Sequence, residues 1–403
     1  MRDRRVVILF LTLFTVMVGF GVIIPVLPFY VLHFGASSLH LGLLMATFSL
    51  MQFICAPYWG TLSDRVGRRP VLLVGLGGYV LSFVIMALAN DLWVLFLARV
   101  VGGGLSSATL PTALAYIGDT TSHRDRGSGM GLMGAAMGLG MIFGPAIGGG
   151  LAAFGITAPF FFSAGLTALV FAFAYFALPE SLADKGCAGG ARGGMGVRLQ
   201  EIVFALRGQL AAYYLVSFIV SFGMANLEGI FAFFAKDRLG YGPTEMGIIF
   251  VIMGIIGVLV QGVAVGHSIN RLGEERVLRI GLVLGAVGFF LLTLVWDMPS
   301  LLVAVAIQGV GIGVLRPATS SLLSKRATLG QGATMGLQGS FDSLGRVVGP
   351  VWGGFTYGLP FAYAIDLPFL TGGTVFLLAL AVMYLFAGAT AVGRPAPAPP
   401  EQR

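Results

Sequence analysis

The chain has 403 residues, of which 57% are hydrophobic and only 10% are charged. Because soluble proteins carry about 25% charged residues, this composition excludes an ordinary water-soluble globular protein. The net charge is +7, but the basic residues lie in short segments between apolar runs, which indicates membrane topology rather than binding to nucleic acid. The composition therefore predicts an all-α integral membrane protein.

Apolar runs of about 20 residues, long enough to cross a bilayer, recur along the whole chain. The first run is too long for the apolar region of a secretion signal and lacks a small-residue cleavage site, so we expect it to remain as a span. Twelve transmembrane helices are predicted, at approximately 6–32, 39–61, 71–89, 92–118, 128–153, 158–178, 209–235, 244–267, 276–296, 300–324, 332–357 and 362–388.

The loop lysines and arginines orient these spans. With both termini in the cytoplasm, the outer loops hold only Lys236 and Arg238, and every other basic loop residue lies inside, as the positive-inside rule requires. We therefore expect a multi-pass protein of the cytoplasmic (inner) membrane.

One long polar segment interrupts the apolar runs. Its glycines and basic residues suit a flexible cytosolic linker between two six-helix bundles. The predicted organisation is an N-terminal bundle at 1–178, a linker at 179–208, a C-terminal bundle at 209–390 and a disordered cytoplasmic tail at 391–403.

Two glycine-rich patterns occur once in each half at nearly the same offset. The first is Gly131-x8-Gly140-x3-Gly144-Pro145-x2-Gly148-Gly149, which recurs as Gly336-x8-Gly345-x3-Gly349-Pro350-x2-Gly353-Gly354. The second is Gly60-x3-Asp64-Arg65-x-Gly67, which recurs as Gly266-x3-Asn270-Arg271-x-Gly273. Two pseudo-symmetric parallel repeats are therefore predicted, and such repeats usually enclose a midplane site that opens alternately to either side.

These patterns resemble the major facilitator superfamily, and within it the twelve-span drug:proton antiporters that include tetracycline and multidrug efflux pumps. Residues 60–69 match the superfamily signature between the second and third spans, and Arg99 with Gly102–Gly104 looks like its buried-arginine motif. The Gly131–Gly149 pattern resembles the antiporter motif of the fifth span, which implies export rather than uptake. The resemblance covers nearly the whole chain.

The first span also resembles that of drug pumps, through Gly19-x-Gly21-x3-Pro25-x2-Pro28. Tetracycline pumps typically carry an aspartate in this span, and the matching residue here is Val16. This departure argues against tetracycline as the substrate.

The segment between the second and third spans is expected to act as a conformational latch between the halves. In the outward-facing state, Asp64 is expected to lie against the N-terminus of the eleventh span near residues 331–332, because a helix N-terminus favours a carboxylate. Asp119 is expected to pair with Arg68 or Arg65. The alternative is that the arginines only set topology. The proposed latch residues are Gly60, Asp64, Arg65, Gly67, Arg68, Arg69 and Asp119.

The fifth-span motif places Gly140, Gly144 and Gly148 on one face of a helix. Such a stripe lets another helix approach closely, and Pro145 favours a bend because it cannot donate a backbone hydrogen bond. We expect this helix to pack tightly across the interface between the halves. The complete motif comprises Gly131, Gly140, Gly144, Pro145, Gly148 and Gly149.

Five charged residues fall inside apolar spans, namely Glu228, Asp342, Arg99, Arg316 and Arg346. Each such charge costs about 2.5 kcal/mol or more at the bilayer centre, so we expect them to face a polar interior cavity. Because arginine does not deprotonate at physiological pH, only the two acids are able to carry a proton.

The helix rise places Asp342 and Arg316 at similar depth, and Asp342 and Arg346 are one turn apart on the same helix. Asp342 is therefore expected to be an ionised structural partner of arginine. Glu228 has no basic residue close to it in sequence, and burial opposes its ionisation. Glu228 is thus the preferred proton carrier, with Asp342 as the alternative.

The many phenylalanines and methionines suit a deformable, promiscuous binding site. The resemblance implies that several side chains lie near the cavity together with Glu228, and these are Phe20, Gln52, Met137, Met141, Gln308 and Phe341.

The predicted function is proton-coupled export of small hydrophobic or amphipathic compounds by alternating access, with a small lipophilic substrate, protons and the bilayer as partners. Two alternatives are an exporter of a specific metabolite or lipid-linked sugar on the same fold, and a non-transporting membrane sensor. No catalytic cluster or metal-ligand spacing is present in the sequence, so we expect no enzyme activity, cofactor or metal. We expect a monomer that does not bind nucleic acid.

Overall fold

The computed structural model describes residues 4–121, 126–181, 210–327, 331–361 and 363–392, together with residues 205 and 208. Most of the predicted linker 179–208 and of the predicted tail 391–403 lies outside these residues. Within them the chain is predominantly α-helical and contains no β-strand.

The N-terminal half contains the helices of the first six spans. They are α1 (Arg4–His33), α2 (Ser38–Val66), α3 (Arg68–Ala87), α4 (Leu92–Ser106), α5 (Thr109–Thr120), α6 (Arg126–Ala152) and α7 (Ala158–Ala177). The helices α4 and α5 form one span, Leu92–Thr120, which is interrupted by a turn at residues 107–108.

The C-terminal half repeats this arrangement. Its helices are α8 (Ala211–Leu239), α9 (Pro243–Leu259), α10 (Val265–Leu272), α11 (Glu274–Leu292), α12 (Met298–Lys325), α13 (Gln331–Tyr357) and α14 (Leu367–Val392). A π-helical segment, Val260–Ala264, joins α9 to α10, so these two helices again form one span.

In the described part of the chain, ten spans are long and apolar enough to cross a membrane. The other two predicted spans are occupied by α11, which begins with Glu274 and Glu275, and by α13, which carries Asp342 and Arg346. These charges lower the hydropathy of both helices. When α4–α5 and α9–α10 are each counted once, the helices account for the twelve predicted spans.

Each half has its own hydrophobic core. The N-terminal core is built from α1–α7, and the C-terminal core from α8–α14. One buried residue of each half enters the other core: Ile24 packs in the C-terminal core and Phe233 in the N-terminal core. Tyr357 packs against both. The halves are therefore separate bundles that meet along a limited surface.

The halves meet closely at the outer ends of two helix pairs. Between α2 and α13, the Ser38 hydroxyl donates to the Gly354 carbonyl at 2.8 Å, and Gly42 lies against the Pro350 backbone. Between α6 and α9, a Cβ on Gly149 would lie 2.8 Å from the Gly247 Cα. No side chain fits between these backbones, so the outer side is closed.

The inner ends of the same four helices are separated. No described atom of another element lies within 4 Å of the Cβ position at Gly60 on α2, Gly131 on α6 or Gly336 on α13. The protein is therefore closed at one end of these helices and open at the other, and in the predicted orientation the open end is the inner side.

The glycine stripe of α6 does not pack where we expected. Gly140, Gly144 and Gly148 all face α1, within the N-terminal half, and a Cβ on Gly144 would lie 2.6 Å from the Val18 carbonyl oxygen. The prediction that this helix packs tightly across the interface between the halves is confirmed, but the stripe itself faces its own half. The contact across the interface is made by the adjacent edge of α6, at Gly149.

The second copy of the motif packs in the same way. Gly345, Gly349 and Gly353 face α8, within the C-terminal half, while Gly354 faces Ser38 across the interface. The repeat in the sequence is therefore a repeat of helix contacts, in which three glycines bind a helix of their own half and the next one meets the other half.

Candidate functional site

An acidic residue of α13 lies at the centre of the charged groups of the C-terminal half. Asp342 is 7% exposed. Its Oδ1 accepts a hydrogen bond from the Ser221 hydroxyl of α8 at 3.0 Å, and its Oδ2 lies 3.5 Å from Arg316 Nη2 of α12. The predicted proximity of Asp342 and Arg316 is confirmed, and the carboxylate joins three helices.

Arg346 and Glu228 extend this group. Arg346 interacts electrostatically with Asp342, Glu228 and Arg316, and Glu228 on α8 is partly buried with Arg346 as its basic neighbour. The direct ion pair of Asp342 is with Arg316, and no atom of Arg346 lies within the 4.0 Å of an ion pair among the described residues. The predicted one-turn pair with Arg346 is therefore not formed.

The four groups form one electrostatic network, which we call the C-terminal charge cluster: Glu228, Arg316, Asp342 and Arg346. The network connects helices that line the space between the halves. Its acids differ in environment, because Asp342 has a hydrogen-bond donor and a direct ion pair, whereas Glu228 makes no hydrogen bond within the described part of the chain.

Arg99 is separate from this cluster. It is 3% exposed on α4, its guanidinium lies 5.2 Å from the ring centre of Phe48, and its electrostatic neighbour is Tyr79. Its Nε has no hydrogen-bond partner, and no carboxylate pairs with it in the described ranges. Arg99 therefore lies apart from the C-terminal charge cluster, although the sequence analysis placed all five charged residues at one site.

Two of the predicted wall residues lie at the junction of the halves. Phe20 on α1 and Met141 on α6 belong to the N-terminal half but pack against the C-terminal core. Met137 packs against the N-terminal core, and Gln52 is partly buried on α2. These positions are consistent with an apolar wall that includes one amide.

Gln308 and Phe341 differ from this expectation. Gln308 is 1% exposed and its backbone and Cβ face Gly288 of α11, while Phe341 is 3% exposed and stacks on Tyr214 at 5.4 Å between ring centres. Both pack within the C-terminal bundle because their helix faces are turned towards α11 and α8. In this conformation they do not line the open space.

The segment between α2 and α3 forms the predicted ion pairs at the inner end of the N-terminal half. Arg68 Nε donates to Asp119 Oδ2 at 3.0 Å, and its Nη1 pairs with Asp64. The predicted pairing of Asp119 with Arg68 is confirmed, whereas Arg65 is exposed. The side chains of residues 331–332, the expected partner of Asp64, lie outside the described residues.

Glu180, just after α7, is a residue that we did not predict. Its Oε1 accepts from the Arg68 N–H at 2.8 Å and its Oε2 from the Arg69 N–H at 3.2 Å, so it caps the N-terminus of α3. Gly67 has φ +118°, and a Cβ there would meet this carboxylate. The sequence feature that could have indicated this capping role is the acidic residue directly after Pro179.

The inner ends of the two halves carry ion pairs in which the positions of the acidic and the basic residue are exchanged. In the N-terminal half, Arg68 at the start of α3 pairs with Asp119 at the end of α5. In the C-terminal half, Glu274 at the start of α11 pairs with Lys325 at the end of α12. Glu275 also pairs with Arg326 at 2.6 Å.

No group of three or more His, Cys, Asp or Glu residues among the described ones has the arrangement of a metal site.

Known proteins match the chain over nearly its full length. The chain is 31% identical to Multidrug resistance protein 2 of Bacillus subtilis (strain 168) over 382 residues, which covers 93% of each protein. It is 32% identical to the class C tetracycline resistance protein of Escherichia coli over 375 residues, which covers 90% of this chain and 92% of that protein.

Solved structures match the fold. The human organic anion transporter MFSD10 (TETRAN) has a TM-score of 0.71 at 25% identity and matches 94% of this chain and 99% of its own. A bacterial homolog of the human lysosomal transporter Spinster has a TM-score of 0.78 at 15% identity and matches 99% of this chain. The Major Facilitator Superfamily model matches residues 9–264 and 213–403. The chain therefore belongs to the major facilitator superfamily.

Proposed function

We propose that the protein is a proton-coupled antiporter that exports small hydrophobic or amphipathic compounds by alternating access. The observation that carries the proposal is Glu228, a partly buried carboxylate inside an apolar span of a protein whose two bundles are closed at the outer side and open at the inner side. A carboxylate at such a place is able to take a proton from one side and release it to the other.

The relatives support export of drugs rather than uptake of nutrients. The similar proteins include multidrug and tetracycline resistance proteins, and also the quinolone resistance protein NorA of Staphylococcus aureus (strain COL) at 28% identity over 352 residues. The matches cover most of both chains, and the family-model match over residues 9–264 includes the fifth-span motif and the segment between α2 and α3.

The roles of the two acids follow from their partners. Asp342 is held by Ser221 and Arg316, which favours a structural role. Glu228 lacks a direct ion pair within the described residues, so its protonated and ionised forms are closer in energy and it is the better carrier. Arg346 lies near both acids and is placed to respond to the charge of either one.

One proton per cycle is energetically sufficient. A membrane potential of about 150 mV provides roughly 3.5 kcal/mol for one elementary charge. At about 1.4 kcal/mol for each factor of ten, this energy sustains a gradient of roughly 300-fold for a neutral substrate.

The cycle also needs a closed inner side. We propose that Asp64, Arg65, Arg68 and Arg69, with Gly60, Gly67 and Asp119, form a latch that holds the inner ends together in the outward-facing state. In this inward-facing structure the latch is open, and Arg68 binds Asp64 and Asp119 within its own half. The outer contact of Gly149 with Gly247 is the corresponding closure on the opposite side.

We further propose a monomeric transporter of the cytoplasmic membrane with both termini in the cytoplasm, two bundles at 1–178 and 209–390 and a linker between them. This orientation places the clustered basic residues at the open inner ends. Under this proposal the protein is not an enzyme and needs no metal or nucleic acid.

Substrate-induced proton release from the purified protein tests the proposal. A panel of lipophilic compounds is added in weak buffer, and the pH is followed for the wild type, Glu228→Gln and Asp342→Asn. We expect proton release from the wild type, none from Glu228→Gln, and retained release from Asp342→Asn where that variant folds. A sensor without transport would bind compounds without releasing protons, and that result would contradict the proposal.

A further inference from the structure

The strongest unexplained feature is an exposed guanidinium in the middle of an apolar span. Arg316 lies inside α12 (Met298–Lys325), yet 60% of its side chain is exposed. A charged group at this depth does not face lipid without a large cost, so its exposed surface must belong to a polar space inside the protein.

The packing of α12 shows which way Arg316 faces. The adjacent Val314 and Leu315 meet Gly281 of α11, whereas Arg316 reaches Asp342 of α13. One turn before Asp342, the Cβ position of Gly339 has no described atom of another element within 4 Å. Arg316 therefore faces the open inner space between the halves.

Arg316 is only partly satisfied by its acidic partner. The C-terminal charge cluster has two arginines and two acids, and the third buried arginine, Arg99, lies apart from it. Asp342 divides its oxygens between Ser221 and Arg316, and its oxygen lies 3.5 Å from the Arg316 nitrogen, which leaves most of the guanidinium fork unoccupied.

From this exposed and largely unoccupied guanidinium we propose that the transporter binds small amphipathic organic anions, and that Arg316 holds their carboxylate or sulfonate group. A guanidinium binds such a group through two parallel hydrogen bonds, which gives a directional contact that a lysine does not reproduce. The apolar part of the compound would lie against the wall that contains Phe20 and Met141, at the junction of the halves. This inference rests on the proposed export function and names its substrate class.

Two dyes that differ by one anionic group provide a direct test. Anilinonaphthalene sulfonate carries a sulfonate, and its parent compound phenylnaphthylamine has the same ring system without it. Equilibrium dialysis against the purified full-length protein, corrected with protein-free micelles, gives the affinity of each dye. For Arg316→Gln we expect at least a tenfold loss of affinity for the sulfonate dye and less than a twofold change for the neutral dye. Arg316→Lys should bind the sulfonate dye with intermediate affinity.

The matched control is Arg279→Gln, which removes an arginine that pairs with Glu275 on α11, away from the charge cluster. It should leave both dyes unaffected. If Arg316→Gln does not fold because Asp342 loses its ion pair, the double variant Arg316→Gln/Asp342→Asn removes both charges and should show the same selective loss. Equal weakening of both dyes, or no weakening of the sulfonate dye, would overturn the inference.

The inference and the proposed function fail in different ways. If phenylnaphthylamine is exported in exchange for protons while the sulfonate dye neither binds nor is exported, the export proposal stands and the anion inference is wrong. If the sulfonate dye binds through Arg316 but no compound exchanges with protons, the binding site stands and the antiport proposal is wrong.

Discussion

The two halves of the molecule share their packing but not their charges. Gly140, Gly144 and Gly148 bind α1, and Gly345, Gly349 and Gly353 bind α8 in the same way. The N-terminal half has one buried arginine inside its spans, whereas the C-terminal half has two acids and two arginines. The repeat therefore supplies a common frame, and the chemistry lies mostly in one half.

Residues at corresponding positions make the difference explicit. When the two glycine stripes are aligned, Met137 corresponds to Asp342 and Met141 corresponds to Arg346. Gly140 contacts Phe14 of α1, and Gly345 contacts Phe218 of α8. When α1 and α8 are aligned on these contacts, Ile24 corresponds to Glu228. These three charged residues of the C-terminal half thus correspond to apolar residues of the N-terminal half.

The largest effect is expected at the outer contact between the halves. In Gly149→Val the side chain would meet the Pro243 carbonyl oxygen and the Gly247 Cα, both within 2.8 Å of the Cβ position. The outer side should then fail to close, and export should fall to the level of empty vesicles. Distances between spin labels at the outer ends of α6 and α9 should increase.

Gly150 provides the matched control for this prediction. Its Cβ position has no described neighbour within 4 Å, so Gly150→Val should export normally and keep the short label distance. Equal loss of export in both variants would show that backbone contact at Gly149 is not the cause.

A second prediction separates packing within a half from closure between halves. In Gly140→Val the side chain would meet Met17 and the Phe14 carbonyl oxygen of α1. Overpacking of this kind costs about 1–3 kcal/mol, so the melting temperature in detergent should fall. The same change at Gly345, against Phe218 of α8, should have a similar effect. Gly134→Ala, at an open position, should leave the melting temperature unchanged, and a matching fall there would contradict this account.

The inner ion pairs should differ in strength between the halves. The Arg68 side chain is only 11% exposed and binds two acids, so Arg68→Ala should cost about 1.5–3 kcal/mol, as expected for charged hydrogen bonds. Lys325 is 65% exposed, so Lys325→Ala should cost less than about 1 kcal/mol. Unfolding in denaturant measures both, and equal costs would contradict the difference in burial.

The smallest effect is expected at two corresponding helix caps. Asp91 accepts the Val94 N–H at 2.9 Å, and Asp297 accepts the Ser300 N–H at the same distance. The Ser300 hydroxyl and N–H both hold the pKa of Asp297 below its ordinary value. The stability that this adds is present above the ordinary aspartate pKa of about 3.9 and is lost as the pH falls through the lower folded pKa.

Melting curves measured between neutral and acidic pH test this cap. Asp297→Asn should remove a small part of the acid sensitivity, and Ser300→Ala should remove less. An unchanged pH profile in Asp297→Asn would contradict the account of the cap.

Most of the fold was readable from the sequence because hydropathy and the positive-inside rule act locally. The spans, the repeat, and the pairs of Asp342 with Arg316 and of Arg68 with Asp119 follow from spacing and depth. Helix partners depend on three-dimensional packing, so the assignment of the Gly140 stripe to the interface was wrong.

Other features have weak or non-local signals. The turn at residues 107–108 and the π-helical segment Val260–Ala264 interrupt apolar runs that contain no proline at these points. Glu180 acts on residues more than a hundred positions away, at Arg68 and Arg69. The burial of Gln308 and Phe341 depends on which faces of α12 and α13 turn towards their own bundle, and α12 has too little amphipathicity to show this.

Uphill transport in vesicles tests the central claim most directly. Proteoliposomes that contain the wild type, or the double variant Glu228→Gln/Asp342→Asn, are given the same proton gradient and the same cargo. We predict accumulation against the cargo gradient by the wild type and only downhill equilibration by the double variant. Uphill accumulation by a folded protein with both residues uncharged would contradict the account.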